Sequence, residues 1–281
     1  MTVALDGGPN QWDVSSFDFL HPQMRIDPFP TFEVMREQSP VHWDGRAHWV
    51  FKYEDARSVL LGEEFGRSAS TFQEQYFESL GAGQPYEYVI KRMTYLDSGD
   101  HHRVRGLFAK TFTPKRIEAL RPFIAEMVDR LLEKASPGEK FDLLELVAHP
   151  VPSLVICELL GVPTEDRKLF DGWTQRIAHL VSPAITEEQY ADAADALADE
   201  WRLMEELITS RSNNLGDDLL SELILASRGD DAITHQELVS NCIFLFSAGH
   251  QTTRDTVGNG VLAMMREPSE WEALAANPQG L

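Results

Sequence analysis

Three observations predict a mainly α-helical fold with a small β element near the N-terminus. From Asp100 onward, apolar residues recur every three or four positions with few breaks, the period of an amphipathic helix. Only Val41-His42-Trp43 and His48-Trp49-Val50-Phe51, either side of Asp44-Gly45, read as paired strands. The chain has 281 residues, 43% of them hydrophobic, so one domain over 1–281 can bury a substantial core.

Pro22, Pro28 and Pro30 limit helix in the first thirty residues. Thr31 is placed to cap a short helix over 32–38, stopped by Ser39-Pro40, and a second helix over 54–61 follows the hairpin. Residues 62–97 are rich in Gly, Ser and aromatics without a clear period, and read as a long loop with a short helix inside. Helices are then expected at about 100–111, 114–135, 149–161, 164–181, 187–213, 217–227, 234–266 and 269–276, with a short strand at 140–143. Pro114 suits a first helical turn, and Pro137-Gly138 ends the next helix. In the 187–213 helix, Tyr190, Ala194, Leu197, Trp201, Met204 and Ile208 form one stripe, which reads as core. The 234–266 helix would span about 50 Å at 1.5 Å per residue and is expected to run, buried, through the middle of the fold.

The net charge of −20 argues against nucleic acid as a partner, since phosphate binding needs a basic footprint. Two cysteines do not make a disulfide framework and suit a reducing compartment. No apolar run reaches the roughly 18 residues of a membrane span, and residues 1–10 lack the basic-then-apolar order of a signal peptide. A soluble cytoplasmic protein is expected. Against the acidic background, Arg103, Arg105, Lys110, Lys115, Arg116 and Arg121 face a single acid, Glu118, between positions 101 and 121. This is either a solvated helix face or a cradle for carboxylates of a ligand or an acidic partner.

The centre of the longest helix carries Phe246-Ser247-Ala248-Gly249-His250-Gln251-Thr252-Thr253. The small pair Ala248-Gly249 leaves a dent where a flat group can approach the backbone. The hydroxyls after it can bond carbonyls one turn earlier and loosen the ladder. A second cluster is Asp97-Ser98-Gly99-Asp100-His101-His102-Arg103-Val104-Arg105, with Phe112-Thr113-Pro114 beyond it. His101 and Arg105 are four apart, hence on one helix face, and together can hold carboxylates.

These segments resemble the cytochrome P-450 family of haem-thiolate monooxygenases. The first is similar to its oxygen-binding helix, Ala-Gly-x-Glu/Asp-Thr-Thr, with Gln251 at the acid's place. The second is similar to its Asp-Pro-Pro-x-His-Thr-Arg-x-Arg helix, with Ser98 and Gly99 where the prolines stand. Leu159-Leu160-Gly161-Val162-Pro163, Gly216-Asp217-Asp218-Leu219-Leu220-Ser221 and Tyr53-Glu54-Asp55-Ala56 occur in the family's order. The resemblance runs from about Asp27 to Leu281 and implies the family's triangular helical fold, of the soluble bacterial type.

The resemblance also implies haem b (heme b) as cofactor in the complete protein, with His101 and Arg105 holding its propionates and Ala248 and Gly249 passing over it. Thr252 would be the proton-relaying alcohol. Gln251 cannot titrate as the family's acid does. Phe72, Phe77, Tyr88, Leu96, Phe244 and Ala248 would line an apolar substrate pocket, and a ferredoxin or flavodoxin-type protein would deliver electrons. The family's Glu-x-x-Arg helix and its Cys loop would follow residue 281. The axial Cys is therefore expected outside residues 1–281, which alone are predicted inactive. Cys157 and Cys242 sit in apolar helical contexts and read as buried structural cysteines. The alternative is a non-catalytic homologue acting as an interaction protein. In another class, an isoprenoid synthase would use Asp217 and Asp218 on magnesium, although that pair reads more simply as a helix start.

Overall fold

The computed structural model describes residues 14–45, 47–66, 84–136, 138–181, 185–229 and 233–277. The chain divides into two compact units, Met1–Gly66 and Arg67–Leu281.

The first unit holds α1 (Pro22–Ile26), α2 (Phe29–Gln38), β1 (Val41–Trp43), β2 (His48–Val50) and α3 (Tyr53–Leu61). The strands pair antiparallel with Val41 opposite Val50 and Trp43 opposite His48, as the Asp44-Gly45 signal predicts. Gly45 takes φ +94°, which few other residues tolerate. Asp44 closes the turn by accepting from the Ala47 amide at 2.8 Å and the Trp49 indole at 2.5 Å. α2 begins three residues before the expected start. Pro30 fits its first turn, where a missing N–H costs nothing, so Thr31 lies buried inside the helix rather than capping it. A small core of Phe17, Met24 and Met35 is closed by edge-on rings of Trp49 and Phe51 at 5.5 and 5.3 Å from Phe17.

The second unit holds α4 (Gln84–Val89), α5 (Ser98–Thr111), α6 (Pro114–Ala119), α7 (Arg121–Leu132), α8 (Pro150–Leu160), α9 (Arg167–Ile177), α10 (Glu187–Asn213), α11 (Leu219–Ala226), α12 (His235–Arg266) and α13 (Pro268–Ala276). α4 is the short helix expected inside the 62–97 loop. The helix expected over 114–135 breaks at Leu120, because Pro122 lacks an N–H and clashes with the preceding turn. Residues 140–143 form no strand. Asp142 there accepts from the Leu144 amide at 2.8 Å and starts a π-helical turn, Leu144–Ala148, that runs into α8. The helix expected over 164–181 is α9 between two 3₁₀ turns, Thr164–Asp166 and Ala178–Val181.

Caps set the sharp starts of the two longest helices. Thr186 with Gln189 and Thr234 with Glu237 form reciprocal capping boxes on α10 and α12. Asp218 caps α11 by accepting from the Ser221 amide at 2.8 Å and pairs with Arg211 at 3.1 Å, so it serves as a helix start. Gly161 ends α8 in the left-handed conformation at φ +63°.

The 32 residues of α12 rise about 48 Å and pack against α8, α9, α10 and the π turn. Its Val239, Cys242, Ile243 and Phe246 join Ile156, Cys157 and Leu160 of α8, Phe170 of α9, and Leu197, Trp201 and Met204 of α10 in one core. Each such side chain, fully buried, contributes roughly 1.5–3 kcal/mol. Burial holds only for the first half of α12. From Thr252 on, the helix is largely exposed among the described residues, so the expectation of a helix buried throughout is met only as far as His250. No helix of the described residues is long and apolar enough to cross a membrane.

Candidate functional site

The sequence of α12 separates its faces. Ile243, Phe246 and His250 point into the core, while Phe244, Ala248 and Thr252, spaced four apart, share a face that runs from half-buried to exposed. Thr252 Oγ1 donates to the Ala248 carbonyl at 2.6 Å, Thr256 Oγ1 to the Thr252 carbonyl at 2.8 Å, and Ser247 Oγ to the Phe244 carbonyl at 3.0 Å. The hydroxyls therefore bond back as the sequence predicts. The ladder is not loosened: α12 is continuous α-helix from His235 to Arg266. Gln251 lies half-buried beside Thr252.

The two small residues have different uses. A Cβ on Gly249 would stand 3.0 Å from Cγ1 and Cδ1 of Ile156. Gly249 thus lets α8 approach α12, and Ala248 alone of the pair belongs to the face that carries Thr252. Further along, a Cβ on Gly258 would meet only Leu144 Cδ2, at 2.6 Å, the end of an exposed side chain that can move aside.

On α5, His101 is half-buried and Arg105 exposed. Half of the basic cluster around them is neutralised: Arg103, Arg116 and Arg121 are paired. Arg103 donates to Glu237 at 2.7 and 3.1 Å and to Asp100 at 3.0 Å. Arg116 pairs with Glu222, and Arg121 with Glu118 at 2.7 Å. Arg105 forms no ion pair among the described residues, which leaves its guanidinium available for a carboxylate from elsewhere. The Arg103–Glu237 bond ties α5 to the first turn of α12, and Thr252 lies fifteen residues, roughly 22 Å, further along that helix.

The end of α4 and the segment that follows it are clamped to α12. Asn241 Oδ1 accepts from the Met93 amide at 2.7 Å, Asn241 Nδ2 donates to the Lys91 carbonyl at 2.9 Å, and Ser240 Oγ donates to the Tyr88 carbonyl at 2.5 Å. Among the expected pocket residues, Tyr88 stacks on Trp201 at 3.8 Å, Leu96 is half-buried against the core, and Phe244 lies 5.9 Å below the Arg92 guanidinium. Phe72 and Phe77 lie outside the described residues.

A family model for cytochrome P450 matches residues 46–277. The chain belongs to the cytochrome P450 family. It is 34% identical over 259 residues to the cytochrome P450 monooxygenase PikC of Streptomyces venezuelae, spanning 89% of this chain and 59% of PikC. It is 31% identical over 246 residues to erythromycin C-12 hydroxylase of Saccharopolyspora erythraea, spanning 87% of this chain and 59% of that protein. The fold superposes on the crystal structure of CalO2 with a TM-score of 0.85 at 27% identity, over 94% of this chain and 66% of the other. The chain thus spans about three-fifths of the length of the curated relatives it matches.

Members of the cytochrome P450 family bind haem, and the donors present suit one. His101 and Arg105 share a helix face, Arg105 has no carboxylate partner among the described residues, and the Ala248–Thr252 face runs from half-buried to exposed. Neither cysteine suits an iron. Both are free and fully buried, and burial pushes each thiol up to about 12, away from the thiolate form that binds metal.

Two features escaped the sequence reading. Glu200 is fully buried, three residues after Leu197 on the predicted core stripe, a spacing that places it inside. His250, also fully buried, stands near Asp171 and His149 on the side of α12 away from Thr252. Its position between Gly249 and Gln251 in the central helix was the signal available.

Proposed function

We propose that these residues belong to a haem-dependent monooxygenase that oxidises a small apolar organic molecule, with electrons from a ferredoxin or flavodoxin-type partner. The observation that carries this reading is the continuous Phe244–Ala248–Thr252 face on α12, whose hydroxyl is already ordered by the Ala248 carbonyl. The spare donor Arg105 on α5, beside His101, supports it. When bound, haem supplies the oxidising chemistry and the protein supplies position, dryness and protons. His101 and Arg105 would bind its carboxylates through charge-assisted hydrogen bonds. Ala248 would keep the helix surface flat beside it, and Phe244 with Leu96 would present apolar surface to the substrate. Thr252 Oγ1, held by a carbonyl acceptor, keeps its lone pairs for a proton donor on the open face. Gln251 can hydrogen-bond there but carries no titratable proton, so water or the substrate must bring one. A cytoplasmic setting and a single domain over 1–281 belong to the same reading.

Gln251 is the one observation that favours the second reading, a non-catalytic homologue. Peroxide released against substrate oxidised, measured in the full-length haem protein, separates the two. Thr252→Ala should divert electrons to peroxide, and Gln251→Glu should change yield per electron more than substrate affinity. Unchanged coupling in Thr252→Ala would remove the proton-relay role.

A further inference from the structure

His149 lies at the junction of the π turn and α8, Asp171 on α9 and His250 on α12, and the three converge. One ligand atom from each lies within 4.8 Å of the other two, and no other such trio of His, Cys, Asp or Glu occurs among the described residues. His250 Nε2 stands 3.6 Å from Asp171 Oδ1, and His149 Nδ1 stands 3.8 Å from Asp171 Oδ2. Both gaps are too long for hydrogen bonds. They involve different oxygens of the carboxylate and slightly exceed the roughly 3.3–3.5 Å between donors that each sit about 2.1 Å from one tetrahedral ion, so the side chains would draw in around it. Buried polar atoms are normally satisfied, yet Asp171 Oδ1 has no hydrogen-bond partner, and the fully buried His250 ring has at most a poorly aligned contact with the His149 backbone.

We propose that His149, Asp171 and His250 form a binding site for a divalent transition-metal ion of the zinc class, separate from any haem. The surroundings orient the donors. Arg167 holds Asp171 Oδ2, the oxygen nearer His149, at 2.5 Å and is itself fixed by Ser153 Oγ at 3.1 Å, which leaves Oδ1 facing His250. Gln175 bonds His149 Nε2 at 3.1 Å, which turns Nδ1 inward. With the ion on Nδ1, Nε2 carries the proton and Gln175 accepts it through its amide oxygen, a simple flip. A surface cleft of about 350 Å³, lined by Glu145, His149, Arg167, Lys168, Asp171 and Gln175, provides entry and room for water as fourth ligand. Two imidazoles and one carboxylate select zinc, cobalt, nickel or copper over magnesium and calcium, which want oxygen donors. The cations Arg167 and Lys168 oppose the added charge and weaken binding relative to a site without them. A bound ion would pin α8, α9 and α12 together.

The test is zinc binding by the purified full-length protein, stripped with chelator, read by equilibrium dialysis and elemental analysis of bound metal. One zinc per chain is expected, with calcium and magnesium inert, and zinc should raise the melting temperature. His149→Ala, at a partly exposed position that should not prevent folding, and Asp171→Asn should each weaken binding at least tenfold and abolish the thermal shift. His235→Ala, a surface histidine near Glu205, should bind as the wild type does. Circular dichroism confirms that each variant is folded. No stoichiometric zinc in the folded wild type, or equal binding in wild type and His149→Ala, would overturn the site. Loss of binding in His235→Ala alone would equally overturn it.

Discussion

Gly249 of α12 and Ile156 of α8 meet so closely that a methyl group at 249 would stand 3.0 Å from two carbons of the isoleucine. Alanine would gain roughly 1 kcal/mol of helix propensity over glycine, while overpacking costs roughly 1–3 kcal/mol. Ile156 is β-branched within a helix, so rotation about its first side-chain bond cannot relieve the contact. Gly249→Ala is therefore expected to lower stability by about 1 kcal/mol in urea unfolding. In an Ile156→Ala background the same change should become neutral or stabilising. A stabilising Gly249→Ala in the wild-type background would show that α8 yields.

Glu200 predicts a pH dependence. Burial pushes its carboxyl up to about 8 against the opposing charge of Arg92, and neither oxygen has a hydrogen-bond partner. Between the unfolded value of about 4.5 and about 8, the folded chain keeps a proton that the unfolded chain has lost. Stability attributable to this group thus falls as pH rises across that window and levels off above it. Glu200→Gln keeps the shape and removes the titration. It should match the wild type near pH 4.5 and exceed it at pH 8 by a few kcal/mol, on the order expected for such a shift. Urea midpoints at the two pH values check this, and parallel slopes for both proteins would contradict it.

The helices and the hairpin were legible in the sequence because period, caps and the Asp44-Gly45 turn act locally. The division at Leu120 and the start of α2 were readable from Pro122 and Pro30, whose rules are local as well. What could not be read was which neighbour each face of α12 meets. Ala248-Gly249 is one dipeptide in sequence, yet its members lie about 100° apart around a helix, and only tertiary packing assigns Gly249 to Ile156. The basic run at 101–121 looked unpaired for the same reason. Glu237 and Glu222, which neutralise Arg103 and Arg116, come from residues more than a hundred positions away.

Arg103 and Arg105, two residues apart, give the most direct test of the haem-binding reading. Arg103 is held by Glu237 and Asp100, while Arg105 has no ion pair among the described residues. Haem content and unfolding midpoint should be measured in the full-length protein for His101→Ala/Arg105→Ala, Arg103→Ala and His102→Ala. The double variant should lose haem occupancy or show a shifted haem spectrum. Arg103→Ala should lose stability by roughly 1–3 kcal/mol through the broken bond to Glu237, and His102→Ala should change neither. Wild-type haem content in the double variant would contradict the assignment of His101 and Arg105 to the cofactor.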